Sequence, residues 1–347
     1  NAVKFDDPGT IEALTYWTMF IAIAAVIAVA GPYVSRNGDI IAEKTNLSGG
    51  WIGLVLIATV TSLPELVTGV SAVTYWDLPD IAAGDALGSC VFNLAILIVV
   101  DFMLRGEPVY SRANRGHIIS GGFGIVLIGF VALTIMVDQN GGGLRLGHIG
   151  ISTPIMLLLY VGAMRTVFVY ERDHREQFSE DVARRHPDVT LAMAARRYAA
   201  AAAAIAVAGV ALPFAGSAIA DIMGWNRTFV GTLLIAGATS LPELVVTIAA
   251  VRYGALNMAV AGLLGSNLFN MLILAIEDGL YLPGPLLAHV SPAHAVSAIS
   301  AMIMTGIAII GLQFGPRSRI FGTVGWASLA IFTVYLFNSY VLYLHGH

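Results

Sequence analysis

The pentapeptide TSLPE at residues 61–65 recurs unchanged at residues 239–243, 178 positions further along the chain. A second pair follows at nearly the same separation, because GSCVFN at 88–93 corresponds to GSNLFN at 265–270. Each pentapeptide places a proline and a glutamate inside a long apolar stretch. A carboxylate at membrane depth is costly to bury and marks a functional site. The chain is therefore predicted to consist of two related halves that carry the same costly group.

Composition places the chain in a membrane. Of its 347 residues, 57% are hydrophobic and 12% are charged, whereas soluble domains carry about 25% charged residues. We predict an all-α polytopic membrane protein whose partner is the lipid bilayer and not nucleic acid. Cys90 is the one cysteine, so no intramolecular disulfide can form.

Ten segments are long and apolar enough to cross a bilayer, which requires about 20 residues. They form two groups of five, separated by the polar segment 171–197 with six arginines and six acidic residues. We expect residues 1–170 and 198–347 to be five-helix halves, joined by 171–197 as a solvated linker. The predicted transmembrane helices are residues 11–31, 50–75, 79–104, 117–137, 149–170, 198–223, 228–253, 255–280, 289–313 and 320–344.

Lysine and arginine residues orient the predicted bundle. With ten spans, 3 of the 18 basic residues fall on the side of the termini and 15 on the side of the linker. Because short basic loops stay in the cytoplasm, we expect the linker there and both termini outside, in a prokaryotic cytoplasmic membrane. An odd number of spans in each half makes the halves enter the membrane from opposite faces. The expected fold is therefore two inverted repeats.

Each pentapeptide gathers oxygen atoms on one face of a helix. Thr61 and Ser62 precede Glu65 by four and three residues, a spacing that aligns side chains on a helix. Pro64 cannot donate a hydrogen bond to the carbonyl four residues before it. A carbonyl freed in this way must face protein or a cavity inside a bilayer. We expect a cluster of hydroxyl, carbonyl and carboxylate oxygens.

A second stripe of oxygens lies on the following helix of each half, where Ser and Asn are four residues apart. The candidate ligands are Thr61, Ser62, Glu65, Ser89 and Asn93 in the first half, and Thr239, Ser240, Glu243, Ser266 and Asn270 in the second. This oxygen set, with two negative charges, suits a hard cation such as Ca²⁺, Mg²⁺ or Na⁺. The hydroxyls could instead bond to the backbone, and the asparagines could bridge helices. The apolar stretches of sequence around the two glutamates contain no Lys or Arg that could form a structural ion pair with them.

Other carboxylates are less regular. Asp85 lies four residues before Ser89, and the equivalent position in the second half is Gly262. Asp85 could be an additional ligand that completes a group of three carboxylates, a proton carrier, or a solvated vestibule residue. Asp101 and Asp278, with Glu277 beside the second, fall near helix ends, where we expect solvated carboxylates.

The sequence AGATSLPE at 236–243, followed by GSNLFN at 265–270, resembles the signature of the Ca²⁺/cation antiporter superfamily, the Na⁺/Ca²⁺ and H⁺/Ca²⁺ exchangers. The resemblance covers essentially the whole chain. It implies that Glu65 and Glu243 bind Ca²⁺ and contribute to Na⁺ sites, joined by the neighbouring Thr, Ser and Asn oxygens. It also implies that the backbone carbonyls of Ala58 and Ala236 contribute, and that the first span of each half slides past a rigid core.

We therefore predict a secondary antiporter that exchanges Ca²⁺ for Na⁺. Coupling to H⁺ is the alternative, because the superfamily that the chain resembles includes both Na⁺-coupled and H⁺-coupled exchangers. The first half also departs from the usual signature at Cys90. A cation channel is disfavoured by the repeated, proline-broken glutamate segments. Neither HExxH nor GxSxG occurs and the repeats hold no histidine, so we expect no enzyme and no cofactor.

The orientation can be tested by cysteine labelling from outside intact cells. In a Cys90→Ala background, a membrane-impermeant thiol reagent should modify His347→Cys and spare Ser179→Cys, because the linker is predicted to be cytoplasmic. Permeabilised cells, in which both cysteines react, are the control. Labelling of the linker alone in intact cells would contradict the orientation.

Overall fold

The computed structural model describes residues 8–45, 61–104, 107–139, 143–173, 188–252, 254, 256–315, 319–320 and 323–345. The first half contains α1 (Pro8–Lys44), α2 (Leu63–Thr74), α3 (Pro79–Met103), α4 (Val109–Arg112), α5 (His117–Gln139), β1 (Arg145–Leu146), β2 (Ile149–Gly150) and α6 (Ser152–Asp173). The second half begins with α7 (Leu191–Met223), α8 (Arg227–Phe229), a π-helix (Val230–Ile235), α9 (Ala236–Thr239) and α10 (Leu241–Arg252). It continues with α11 (Leu256–Leu280), a 3₁₀ turn (Leu286–Ala288), α12 (His294–Phe314), β3 (Arg319–Ile320), β4 (Val324–Gly325) and α13 (Trp326–His345).

The protein is predominantly α-helical, and its helices suit a membrane, as predicted. Within the described residues, eight helices are long and apolar enough to span a bilayer, and a ninth span results if the helices on either side of Ser240 count as one, with a bend of 44°. The predicted span 50–75 is described from residue 61 onward, so the count of ten stays a prediction. Of the predicted linker, residues 174–187 lie outside the described part.

Helices α1 and α7 begin the two halves, and they lie against each other. Both extend well beyond the predicted spans, with 37 and 33 residues. They share a third repeat that the sequence analysis missed, because IAVAG at 27–31 recurs at 205–209. Its glycines allow close contact with the broken helices: a methyl group on Gly31 would overlap the ring of Pro242, and one on Gly209 would lie 2.9 Å from Val67 Cγ1.

Contacts at the two ends of the bundle relate the halves to each other. At one end, Asp80 accepts hydrogen bonds from the backbone N–H of Ser291 and the ring of His294. At the other end, Asn257 makes the equivalent contacts, all 177 residues away in sequence, with Asn114 and His117. Equivalent contacts at opposite ends are what an inverted repeat requires.

We call the end of the bundle that contains Asp80 the terminal side, because α1 begins and α13 ends there. An aromatic cluster at this end joins Trp17, Trp225, Phe229 and Tyr343 through edge-to-face contacts. The opposite end, which contains Asn257, is called the linker side. Both names describe the molecule alone and do not state which end faces the cytoplasm.

Two buried aspartates join the halves by equivalent sets of hydrogen bonds. Asp101, near the end of α3, accepts from the N–H of Val109 at 2.8 Å, the N–H of Gly325 at 2.7 Å and the hydroxyl of Ser328 at 2.7 Å. Gly325 and Ser328 belong to the strand and helix that end the second half. The aspartate of one half therefore fixes the last helix of the other.

Asp278 makes the same set of contacts in the opposite direction. It accepts from the N–H of Leu286 at 2.6 Å, the N–H of Gly150 at 3.0 Å and the hydroxyl of Thr153 at 2.6 Å. The expectation that Asp101, Asp278 and Glu277 are solvated is wrong, because all three are buried. The short hairpins β1–β2 and β3–β4, which the sequence analysis did not predict, fold back over the ends of α11 and α3 and bring donors to the two aspartates.

We predict that Asp101→Ala and Asp278→Ala each lower the free energy of unfolding by roughly 3 kcal/mol, because three donors lose their acceptor. Thermal unfolding of the purified protein in detergent measures the effect. Asp221→Ala is the matched control, since that carboxylate is exposed and pairs with Arg227 at 3.6 Å. A melting temperature for Asp101→Ala equal to that of the control would show that the contacts contribute no stability.

Candidate cation site

The two TSLPE segments adopt the same broken-helix conformation. Ser62 and Ser240 interrupt their helices with φ/ψ values of −88°/17° and −83°/4°. The next residue begins a new helix, so that proline takes one of its first two positions, where no N–H donor is required. Glu65 and Glu243 consequently lie in the first turn of α2 and α10. A carboxylate is stabilised there by the positive end of the helix dipole.

Small residues, Gly84 and Gly88, allow the ligand-bearing helices to approach each other. A methyl group built on Gly84 would lie 3.0 Å from the backbone of Gly231, and one on Gly88 would lie 2.7 Å from Thr232 Cα. Helix α3 thus packs directly on the backbone of the π-helix. Short π-helical segments are frequent at functional sites, and this one directly precedes the AGATSLPE segment.

Each glutamate is bonded by hydroxyls of the other half. Ser62 donates to Glu243 at 3.4 Å, and Ser240 donates to Glu65 at 3.3 Å. Ser89 also donates to Glu65 at 3.4 Å and accepts from Ser240 at 3.0 Å. The predicted ligands of the two halves therefore meet in one place, and both carboxylates are at most 3% exposed.

The side-chain amides of Asn93 and Asn270 are oriented by two residues, Asn267 and Cys90, that were not among the predicted ligands. The amide nitrogen of Asn93 donates to Asn267 at 3.0 Å, and that of Asn270 donates to the sulfur of Cys90 at 3.7 Å. Cys90 and Asn267 occupy equivalent positions in the halves and contact each other across the bundle. The signal was present in the sequence, since Cys90 is where the first half departs from the second.

Several buried oxygen atoms at this place have no hydrogen-bond partner among the described residues. They are Glu65 Oε2, Glu243 Oε2, Asn93 Oδ1, Asn270 Oδ1 and Asp85 Oδ2. Buried polar atoms are nearly always bonded, so each exception requires an explanation. Because the amide nitrogens of both asparagines are engaged elsewhere, their oxygens remain for a ligand. Two carboxylate and two amide oxygens, all free, fit a hard cation.

Asp85 lies within this region but is held by a single residue. Its Oδ1 accepts a hydrogen bond from Thr239 at 2.7 Å, and its side chain is 1% exposed. The possibility of a solvated vestibule residue is therefore excluded. The described residues contain no group of three or more His, Cys, Asp or Glu side chains that could hold one metal ion. Asp85, Glu65 and Glu243 thus do not form a three-carboxylate centre.

The remaining predicted ligands are Thr61, Ser266 and the carbonyls of Ala58 and Ala236, and their surroundings differ. The hydroxyl of Thr61 lies 3.3 Å from that of Ser266. The carbonyl of Ala236 accepts bonds from the N–H of Ser240 and the hydroxyl of Thr239, at 3.0 and 3.2 Å. Ala58 lies outside the described residues. Hydroxyls are thus gathered around both carboxylates, while the carbonyl of Ala236 is occupied by its own helix.

A cavity of about 40 Å³ leads away from Glu243 toward the linker side. Thr61, Glu243 and Ser266 line its inner part, and Ala250 and Met258 line its outer part. A volume of this size holds at least one water molecule or small ion, since one water occupies about 10–15 Å³ by this measure. The cavity therefore lies on the linker side of the candidate site.

The family model described as sodium/calcium exchanger protein matches residues 15–169 and 198–341. The chain belongs to the sodium/calcium exchanger family. It is accordingly a transmembrane antiporter that takes part in ion transport, which confirms the resemblance seen in the sequence. The two matched segments are interrupted where the linker was predicted.

Individual members of the exchanger family are similar over nearly the whole chain. The putative antiporter CaxA of Alkalimonas amylolytica is 26% identical over 333 residues, which cover 93% of this chain and 99% of CaxA. The structure of the H⁺/Ca²⁺ exchanger CAX superposes with a TM-score of 0.65 at 14% identity, covering 95% of this chain and 86% of that one. A structure of the sodium-calcium exchanger NCX_Mj gives 0.59 at 18% identity, covering 94% and 98%. The exchanger fold is thus shared, and the relatives are transporters and not enzymes.

The role of Asn267 in this exchanger can be tested by substitution. We predict that Asn267→Ala weakens Ca²⁺ binding roughly 10- to 100-fold, because residues that orient metal ligands have effects of that size. Isothermal titration calorimetry on the purified protein measures the affinity. Asn257→Ala is the matched control, since it removes an asparagine of the same helix at the linker side. Equal affinities in Asn267→Ala and the control would show that the orientation of Asn93 is set by other contacts.

Proposed function

We propose that this protein exchanges Ca²⁺ for Na⁺ through a single site between its halves. The observation that carries the proposal is the set of buried oxygens on Glu65, Glu243, Asn93 and Asn270 that have no hydrogen-bond partner within the described part of the chain. Two carboxylates balance the charge of a divalent ion, and two amide oxygens extend its coordination. Further hydroxyls from Ser62, Ser240 and Ser89 already surround the carboxylates, so Ca²⁺ can reach the six to eight oxygen ligands it prefers.

Sodium is the coupling ion that the ligand chemistry supports best. The site holds hydroxyl oxygens beside each carboxylate, and Na⁺ is served by the same hard ligands as Ca²⁺. When Ca²⁺ leaves, Na⁺ ions can balance the negative charge of Glu65 and Glu243 without any rearrangement of protons. Relatives described as sodium-calcium and as H⁺/Ca²⁺ exchangers share the fold, so proton coupling is the alternative outcome of the test.

The membrane arrangement belongs to the same proposal. Ten spans form two inverted five-helix halves, residues 1–170 and 198–347, with the linker 171–197 in the cytoplasm. Equivalent contacts at opposite ends of the bundle support the inversion. The cavity beside Glu243 then lies on the cytoplasmic side of the site, and in this proposal it is part of the cytoplasmic ion path. Alternating access follows if the opposite side opens when this one closes.

Transport of ⁴⁵Ca²⁺ into proteoliposomes tests the proposal. An outward Na⁺ gradient should drive uptake at constant pH, and Glu65→Gln or Glu243→Gln should reduce it to the level of protein-free liposomes. One unit charge beside a divalent cation is worth on the order of several kcal/mol at an effective dielectric constant of about 20. Loss of either charge therefore removes most of the binding energy.

Matched controls separate the possible outcomes. Asp221→Asn removes an exposed carboxylate and should leave uptake unchanged. Uptake driven by a pH gradient alone would replace Na⁺ by H⁺ as the coupling ion. Uptake that persists in a folded Glu243→Gln protein would refute the site, and the absence of uptake in the unsubstituted protein under both gradients would refute Ca²⁺ exchange itself.

A further inference from the structure

Asp85 joins the two halves of the chain beside the candidate site. From α3 of the first half, its Oδ1 accepts a hydrogen bond from the hydroxyl of Thr239, in α9 of the second half, at 2.7 Å. The bonds of this hydroxyl to the carbonyls of Ile235 and Ala236 are longer, at 3.2 Å each. A charged carboxylate accepts such a bond, and a neutral carboxyl group can accept or donate it. The contact therefore forms in either state of Asp85.

The equivalent pair of residues on the linker side makes no such contact. Asp85 and Thr239 correspond to Gly262 and Thr61, at separations of 177 and 178 residues. Gly262 has no side chain to offer, and the hydroxyl of Thr61 lies 3.3 Å from that of Ser266. Thr61 and Gly262 line the cavity, and among the described residues a methyl group built on Gly262 would meet nothing within 4 Å beyond its own helix backbone. The carboxyl group of Asp85 thus occupies the place that is open space on the linker side.

Residues farther from the site also differ between the two sides. Ala250 and Met258 line the outer part of the cavity, and Met258 is 39% exposed. Their equivalents in the first half are Ala72 and Ile81, and both are 0% exposed. Ile81 packs closely on the π-helix, because a methyl group built on Gly231 would lie 3.1 Å from its Cα. The halves therefore pack more tightly along this region of the terminal side than along the cavity.

We infer that Asp85 is a positioning residue whose bond to Thr239, here called the clasp, holds the two halves together on the terminal side of the site. A cavity equivalent to the one beside Glu243 can form there only if the carboxyl group leaves Thr239. The clasp therefore favours the conformation in which the cavity lies on the linker side. The inference rests on the proposed function, because it assigns to alternating access a residue that stabilises one of the two conformations.

Removal of the clasp and removal of a cation ligand have effects of opposite sign. The Ca²⁺ concentration for half-maximal exchange from one side falls when the conformation open to that side becomes more populated. Asp85→Ala should therefore lower the terminal-side value roughly fivefold, the population change that the loss of one hydrogen bond produces. The linker-side value should not fall. Sided membrane vesicles, identified by a tag after residue 347, supply both measurements. A rise of the terminal-side value would identify Asp85 as a ligand and overturn the clasp.

Two further variants keep the test informative if Asp85→Ala does not fold. Gly262→Asp builds an equivalent clasp with Thr61 into open space, so it should lower the terminal-side value as Asp85→Ala does. A lower linker-side value would instead show an added ligand and contradict the inference. Asp85→Asn keeps an acceptor for Thr239 and the shape of the side chain, so both values should stay within about twofold. Changes in Asp85→Asn equal to those in Asp85→Ala would assign the effect to charge and overturn the clasp. Asp221→Asn, an exposed carboxylate of the terminal side, is the control.

Cysteine labelling measures the clasp without transport. In a Cys90→Ala background, a small thiol reagent should modify Ala72→Cys slowly in the purified protein, because that position is buried. The rate should rise roughly fivefold when Asp85→Ala is added and stay unchanged with Asp85→Asn. Absence of exchange in the unsubstituted protein would defeat the proposed function, while the labelling result would still support the clasp. Equal labelling rates with and without Asp85→Ala would overturn it.

Discussion

The burial of Glu65 and Glu243 without a basic partner is the constraint on which the rest of the structure depends. An unpaired carboxylate in a protein interior is costly, and the buried residues of the described part include no Lys or Arg. The chain reduces this cost by breaking both helices, so that each glutamate lies in the first turn of a new helix, and by directing serine hydroxyls toward it. In the proposed function, a bound cation offsets the cost that remains.

Much of the site could be predicted from the sequence because its side chains lie on two repeated segments. The partners within the site could not be predicted, since a helical spacing shows only which residues share one face. Ser62 was expected beside Glu65, yet it donates to Glu243 of the other half. Asp101 and Glu277 were expected in solvent for a related reason, because a position near a helix end carries no sign of the hairpin or helix that covers it. The Cys90 and Asn267 pair required the register between α3 and α11, which no local pattern contains.

The two halves are alike in sequence, but their first helices pack differently. The register of α1 against α10 is not the same as the register of α7 against α2. Gly31 of α1 lies against Pro242, so the equivalent contact for Gly209 of α7 would be Pro64. Gly209 instead lies against Val67 and Thr68, about one helical turn further along α2. One turn of an α-helix is about 5.4 Å, and displacements of this size separate discrete packing states in other proteins. The difference in register accompanies the cavity that lies beside Glu243 on the linker side.

The equivalent hydrogen bonds of Asp101 and Asp278 have a consequence for the history and assembly of the chain. Each aspartate holds the final helix of the half to which it does not belong, as protomers do in a domain-swapped dimer. Neither half can fully satisfy its own aspartate, because two of the three donors to each one belong to the other half. The two halves must therefore complete each other during folding. The same arrangement would form between two copies of a single ancestral half inserted in opposite orientations, so that fusion of their genes would preserve every contact that already existed.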